Sequence, residues 1–164
     1  DGIKSLLKSF ETNSSEIDII DQKIKILTAE NKNVKLLMTV PGVGPIIASY
    51  FVFSLGEADR FKKSKSVGAY FGMTPRQYSS GETISMGQIS KCGNADMRRL
   101  LTHAAMVLMT ATKSWCFLKT WGIKISKKHG NKKAYMAVGR KLAIIMHRML
   151  ITGEAFRYTA TIKA

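Results

Sequence analysis

Ser79 and Ser80 stand directly before Gly81 in a polar stretch, and two consecutive arginines, Arg98 and Arg99, open an apolar run further along the chain. A serine hydroxyl is a weak nucleophile alone. Beside cationic groups that bind a phosphate and neutralise its developing charge, it can attack that phosphate. The combination points to phosphoryl transfer on a polyanion, with arginine forks as phosphate ligands. Successive helix residues point about 100° apart, so at most one of the two arginines reaches the same phosphate as the serine. Arg99, which shares a helix face with His103, is the candidate; Arg98 is left to pair with DNA or with the rim of the core, and His103 is a candidate proton shuttle. The plainer reading of the serines is a capping box, in which Ser79 opens a helix and Glu82 closes its first turn.

The elements that must carry these groups read as helices. Val34–Thr39, capped by Asn33, leads into Pro41-Gly42-Val43-Gly44-Pro45 and then Ile46–Leu55, a helix-hairpin-helix pattern over about 34–55. Glycines let the backbone approach a phosphate, and Pro45 at a first helical position leaves neighbouring N–H groups at a positive dipole end. Gly42, Val43 and Gly44 are therefore candidate DNA-backbone contacts, which would grip without reading sequence. The alternative is a plain helix-turn-helix corner in the core. Ser64 or Ser66 starts a short helix closed by Gly72, and residues from about 73 to 93 form one long irregular segment in which a hairpin through Gln77–Ile89 fits. Three helices follow, the first capped by Asn94, the second by Ser114, the third running from about Lys132 to Ile151 and stopped by Gly153. Their aromatic and methionine stripes read as core, with Lys133, Arg140, Lys141 and Arg148 outside.

Before this body lies a different kind of segment. Ile3, Phe10, Ile17 and Ile24 hold one heptad position, and Leu6, Ile20 and Leu27 the other, interrupted only by Asn13. That is a coiled-coil seam over residues 1–32, read as a dimerisation arm rather than a helix packed on its own domain. Ser15 with Asp18 offers a cap that would split it into two helices near Asn13. The arm has five lysines against six acids, whereas residues 33–164 carry 21 basic residues against five acids. So basic a body implies a polyanionic partner; nucleic acid fits better than a membrane, since no long apolar run or amphipathic anchor appears. Cys92 and Cys116 form no C-x-x-C and read as free thiols. Glu57, Asp59, Glu82, Asp96 and Glu154 are too scattered for a two-metal carboxylate cluster, so no metal ligand is assigned. The start at Asp1 without an initiator methionine reads as that of a fragment.

Five pieces stand in order: Val40-Pro-Gly-Val-Gly-Pro45, Gly72-Met-Thr-Pro75, Ser80-Gly81, Arg98-Arg99-Leu100 and Arg140-Lys141-Leu142. Together they resemble the C-terminal domain of the DEDD-type insertion-sequence transposases, the family that includes the Piv-like DNA invertases. The resemblance covers roughly residues 17–153. It implies a RuvC-like domain with four metal-binding carboxylates, then a coiled coil, then this domain, which supplies a serine nucleophile immediately before glycine, here Ser80. The chain has Glu82 where the family has glycine or a basic residue, and Cys92 where a basic residue is common.

The expectation is thus an all-α domain over 33–164 behind a coiled-coil arm. Ser80 and Arg99 are its catalytic candidates, and Gly42, Val43, Gly44, Arg76, Lys91, Arg98, Arg140 and Lys141 its DNA contacts. The resemblance further implies DNA and an element-encoded guide RNA as partners, Mg2+ held by the RuvC-like domain absent here, a homo-oligomer, and a bacterial cytoplasmic, nucleoid-associated setting. The alternatives are a non-catalytic helix-hairpin-helix DNA-binding module and an inactive transposase remnant. A bifunctional base-excision glycosylase wants lysine two positions after the second glycine, where Ile46 stands.

Overall fold

The computed structural model describes residues 2–80 and 83–159, excluding the side chains of residues 79–84. Seven helices and one hairpin follow in the order α1 Gly2–Thr28, α2 Lys32–Leu37, α3 Pro45–Leu55, a 3-10 turn Ala58–Arg60, α4 Lys65–Tyr70, β1 Pro75–Ser80, β2 Thr83–Ile89, α5 Ala95–Thr110, α6 Phe117–His129 and α7 Asn131–Thr152. The fold is all-α apart from the two antiparallel strands.

α1 is one unbroken helix, so the expected alternative of a break at Asn13 is not realised. The Ser15 hydroxyl donates to the Thr12 carbonyl at 2.8 Å, and Thr12 to Lys8 at 2.9 Å. Hydroxyls bonded to the preceding turn cap nothing; they are taken up within the helix itself. Along α1 the seam residues Ile3, Leu6, Phe10, Ile17, Ile20 and Leu27 are exposed, and only Thr28, at its end, is buried. The helix meets the body through α3.

In the body α7 is the central helix, packed on α5, α6, α4 and α2. Its Val138, Leu142, Ala143 and Met146 share one buried cluster with Met97, Leu101, Ala104 and Leu108 of α5, Phe51 and Leu55 of α3, and Phe71 and Met73. His147, buried in this helix, spans to Ser64 Oγ and the Ala58 carbonyl, each 2.9 Å away, and so fixes the connector between α3 and α4. A buried ring with both nitrogens bonded is a structural histidine.

Two caps differ from expectation. Asn31, not Asn33, caps α2, its side chain accepting from Asn33 N and Val34 N, so that helix begins at Lys32. Cys116, not Ser114, precedes α6. Trp115 accordingly lies before that helix, 64 % exposed, with Nε1 donating to Thr120, and Trp121 is 37 % exposed. Both tryptophans face outward instead of filling the core. Asn94, Gly72 and Gly153 cap or stop their helices as expected.

Candidate nucleic-acid interface

The long irregular segment begins and ends on glycines for a steric reason. Gly72 and Gly93 both have positive φ, and a Cβ on Gly72 would fall 1.9 Å from the Cys92 carbonyl oxygen, one on Gly93 2.1 Å from that of Tyr70. The chain therefore leaves α4 and enters α5 with its two ends in backbone contact, and whatever lies between must project as a loop. Ser90 N donates to Thr74 O at 2.8 Å and Lys91 N to Gly72 O at 3.1 Å, which closes the base.

What projects is the hairpin. β1 pairs with β2 from Gln77↔Met86 to Ser80↔Thr83, with an irregularity between Pro75 and Gln77. Tyr78 lies over Gly87, where a Cβ would meet its Cε2 at 2.9 Å, so an aromatic ring covers the strand glycine. Residues 75–78 and 85–88 are exposed. The capping-box reading of Ser79 and Glu82 does not survive this geometry: Ser79 and Ser80 end a strand and Thr83 starts the next. Glu82 and Gly81 lie outside the described residues, as do the side chains of Ser79 and Ser80.

At the foot of the hairpin Arg98 acts as a clasp. Its Nη1 lies 3.1 Å from the Phe71 carbonyl oxygen, 3.2 Å from that of Cys92, 3.1 Å from that of Gly93 and 3.4 Å from that of Asn94. One cationic nitrogen thus serves carbonyls from the end of α4 and from the approach to α5. Of the two roles left open for Arg98, DNA or the rim of the core, its Nη1 takes the second. Asn94 adds to the same corner, its Oδ1 accepting from Met97 N and its Nδ2 donating to Tyr50 Oη at 3.2 Å. Arg76 Nη2 donates to the Ser90 carbonyl at 3.1 Å while remaining exposed.

Beside the clasp lies an open groove of about 540 Å³, edged by Ile89, Lys91, Arg99, His103, Tyr135 and Met136. Arg99 pairs with Asp96, its side chain still 80 % exposed. Lys91 is held at φ 56° with its side chain in solvent. Lys91, Arg99 and His103 are thereby gathered at the foot, whereas Ser80 ends β1 five residues from Pro75, roughly 16 Å away at the usual strand rise. Pro75 and Ser80 are the two ends of β1, with the side chain of Ser80 outside the description.

The other expected contacts divide. Gly42 has φ 85°, and a Cβ there would meet Ala104 O at 2.6 Å and Leu108 N at 3.0 Å, so this glycine turns toward α5. Val43 is 6 % exposed. Gly44 caps α3, and although Gly42 and Gly44 are both half-buried, only at Gly44 would an added Cβ point into open space. Arg140 is half-buried, not outside: its stem fills the space a Cβ on Gly68 would need, and its buried Nε has no hydrogen-bond partner among the described residues. Lys141 is exposed, with Nζ 5.4 Å from the ring centroid of Trp121. No group of three or more His, Cys, Asp or Glu among the described residues could hold a metal; Asp96 and Glu154 are paired with Arg99 and Arg157. The side chains described do not fit a two-metal site.

Sequence reasoning missed the clasp at Arg98, the Tyr50–Asn94 bond and the Lys141–Trp121 contact. Each joins residues far apart in the chain, and no local spacing marks such pairs. Only the double arginine gave a sign, by placing one of the two on the buried side of its helix.

The body is thus basic and mostly helical, with an exposed hairpin on a cationic foot. Residues 34–120 match the transposase IS116/IS110/IS902 family, and the chain belongs to that family. It is similar to the transposase for insertion sequence element IS1328 of Yersinia enterocolitica, 33 % identical over 143 residues, which cover 86 % of this chain and 42 % of that protein. The transposase for insertion sequence element IS1111A of Coxiella burnetii is 30 % identical over 138 residues, 84 % of this chain and 38 % of that protein. A pilin gene-inverting protein of Moraxella bovis is 26 % identical over 127 residues, 77 % of this chain and 39 % of that protein. The chain thus spans about two fifths of the length of these relatives. Among the described residues no helix is long and apolar enough to cross a membrane.

Proposed function

We propose that this chain is the DNA-binding, serine-bearing part of a site-specific transposase or recombinase. The observation that carries this reading is the exposed hairpin whose first strand ends on Ser80, set on a foot where Lys91, Arg99 and His103 gather. In the reaction, Ser80 Oγ attacks a DNA phosphodiester. The O–P bond forms as the bond to the leaving nucleoside oxygen breaks, the serine proton ends on that oxygen, and the strand is left on a phosphoserine. Divalent metal, where the reaction uses it, comes from carboxylates outside these residues, in the RuvC-like domain the resemblance implies.

The roughly 16 Å between hairpin end and foot corresponds to about five base steps of duplex. Arg99 and Lys91 then hold the strand at a distance from the bond that Ser80 attacks, and Arg98 positions the hairpin without touching DNA. Gly44 at the start of α3 and Lys141 on α7 supply further backbone contacts. α1 pairs with the α1 of a second copy through its exposed seam, and an element-encoded RNA guides the assembly to its sites.

The second reading is a non-catalytic DNA-binding module or inactive remnant, favoured by Glu82 and Cys92 at positions where the family resemblance calls for glycine or basic residues. A denaturing gel separates the two. With residues 1–164 joined behind the N-terminal part of the IS1328 relative, the native sequence forms a covalent protein–DNA adduct and Ser80→Ala forms none while keeping its DNA affinity. An adduct from Ser80→Ala overturns Ser80 as the nucleophile, and DNA affinity with no adduct from the native sequence leaves the binding module.

A further inference from the structure

A second groove lies away from the hairpin, and of its lining only Lys141 belongs to the sequence motifs. It encloses about 440 Å³ between the start of α6, the outer face of α7 and the segment that follows α7. That segment is strapped down: Phe117 N donates to Tyr158 O at 3.1 Å, and Phe156 N to Thr39 Oγ1 at 3.0 Å. Phe117 and Phe156 stack with 14° between their rings.

Phe117, Ile145 and Met149 give the groove an apolar floor, and Lys141 and Arg148, two turns apart on α7, give it an exposed cationic rim. The acid at its edge, Glu154, is bonded through both carboxylate oxygens to Arg157 at 2.9 Å and is neutralised there. Lys141 also lies against the exposed ring of Trp121, which extends the aromatic surface beyond the groove.

We infer that this groove is a binding site for one unstacked nucleotide of single-stranded nucleic acid. The base lies against Phe117 and its aliphatic neighbours, and the flanking phosphates lie on Lys141 and Arg148. Two features exclude a duplex as the occupant. The volume is that of a small-molecule site, about 300–1,000 Å³, and the strap closes one side, so a duplex can graze the rim but not enter. An apolar floor beneath a paired-cation rim is the arrangement that holds single strands, stacking on a ring while cations track the backbone. The inference rests on the reading of this chain as a nucleic-acid protein and adds to it a place where a strand is held open.

The test uses the full chain and fluorescence anisotropy with four labelled probes: dT12, rU12, a 12-base-pair duplex and an abasic dodecamer that keeps its phosphates. Lys141→Gln with Arg148→Gln is the variant; both side chains are exposed, and its melting temperature should match that of the native chain. The expected result is about a tenfold loss on a single strand with no more than about a threefold loss on duplex, the share of the one backbone contact at Lys141, and a single-strand salt slope smaller by about 1.4. The native chain should bind the abasic strand about tenfold more weakly than dT12. Loss on both dT12 and rU12 supports a site for either strand; loss on one alone supports the site and names its source. Equal losses on duplex and single strand, no loss on either single strand, or abasic binding equal to dT12 overturns the inference. If the native chain binds the duplex while the single-strand arms fail, the inference falls and the proposed function stands; if it binds none of the probes, both fall.

Discussion

Arg98 Nη1 lies 3.1 Å from the carbonyl oxygen of Phe71, so the first turns of α5 hold the residue that follows α4. The carbonyls of Cys92, Gly93 and Asn94 share the same nitrogen, and the hairpin that ends on Ser80 rises from between them. That guanidinium thus ties the foot of the hairpin together beside the Ser90–Thr74 and Lys91–Gly72 backbone bonds.

Removing that guanidinium should loosen the foot before it unfolds the body. Arg98→Ala should cost about 2–3 kcal/mol, the scale of a charge-assisted bond lost with its acceptors left unpaired. Amide exchange at Ser90 and Lys91, whose N–H groups bond to Thr74 and Gly72, should accelerate far more than exchange within α7. Uniform acceleration throughout the chain would show that Arg98 only stabilises the core.

The glycines of the α2–α3 turn should respond oppositely. Gly42→Ala forces a Cβ against Ala104 O at a φ of 85° and should destabilise by more than about 2 kcal/mol in urea unfolding. Gly44→Ala, in open space, should cost less than about 1 kcal/mol yet weaken duplex binding, because the added methyl stands where a phosphate would approach. Equal effects on stability would mean that both glycines serve the packing of the turn.

Much of the body was legible in advance because helix periodicity and caps are local signals. Asn94, Gly72 and Gly153 punctuate the chain where the structure does. Ser114 and Asn33 failed as caps because each, though of suitable chemistry, stands two positions from the real boundary, at Cys116 and Asn31. Ser79 and Glu82 matched a capping box, yet Ser79 pairs with Ile84 and Ser80 with Thr83 across two strands, since the Gly72–Gly93 crossing forces the chain between to double back. Trp115 and Trp121 looked like core by type; their exposure is set by packing between α6, α7 and the chain that follows, which no window of sequence contains.

The exposed seam of α1 should drive association. The full chain should sediment as a dimer or larger, and a chain beginning at Asn33 as a monomer. Ile17→Asp with Ile24→Asp should abolish association by placing charge in the seam. Self-association of the shortened chain would assign the contact to the body.

Duplex binding should be driven by phosphates. With about six contacts on B-DNA the log–log salt slope should be near −5, with little preference among sequences. A slope near zero would remove the reading of the basic body as a polyanion-binding surface.

The account turns on which atom carries the DNA. The covalent complex formed by residues 1–164 joined to the N-terminal part of the IS1328 relative can be digested with nuclease and protease, and the remaining nucleotide located by tandem mass spectrometry. The nucleotide should remain on Ser80, and the neighbouring Ser79 should be unmodified. A nucleotide on any other residue would contradict the assignment of Ser80 as the attacking group.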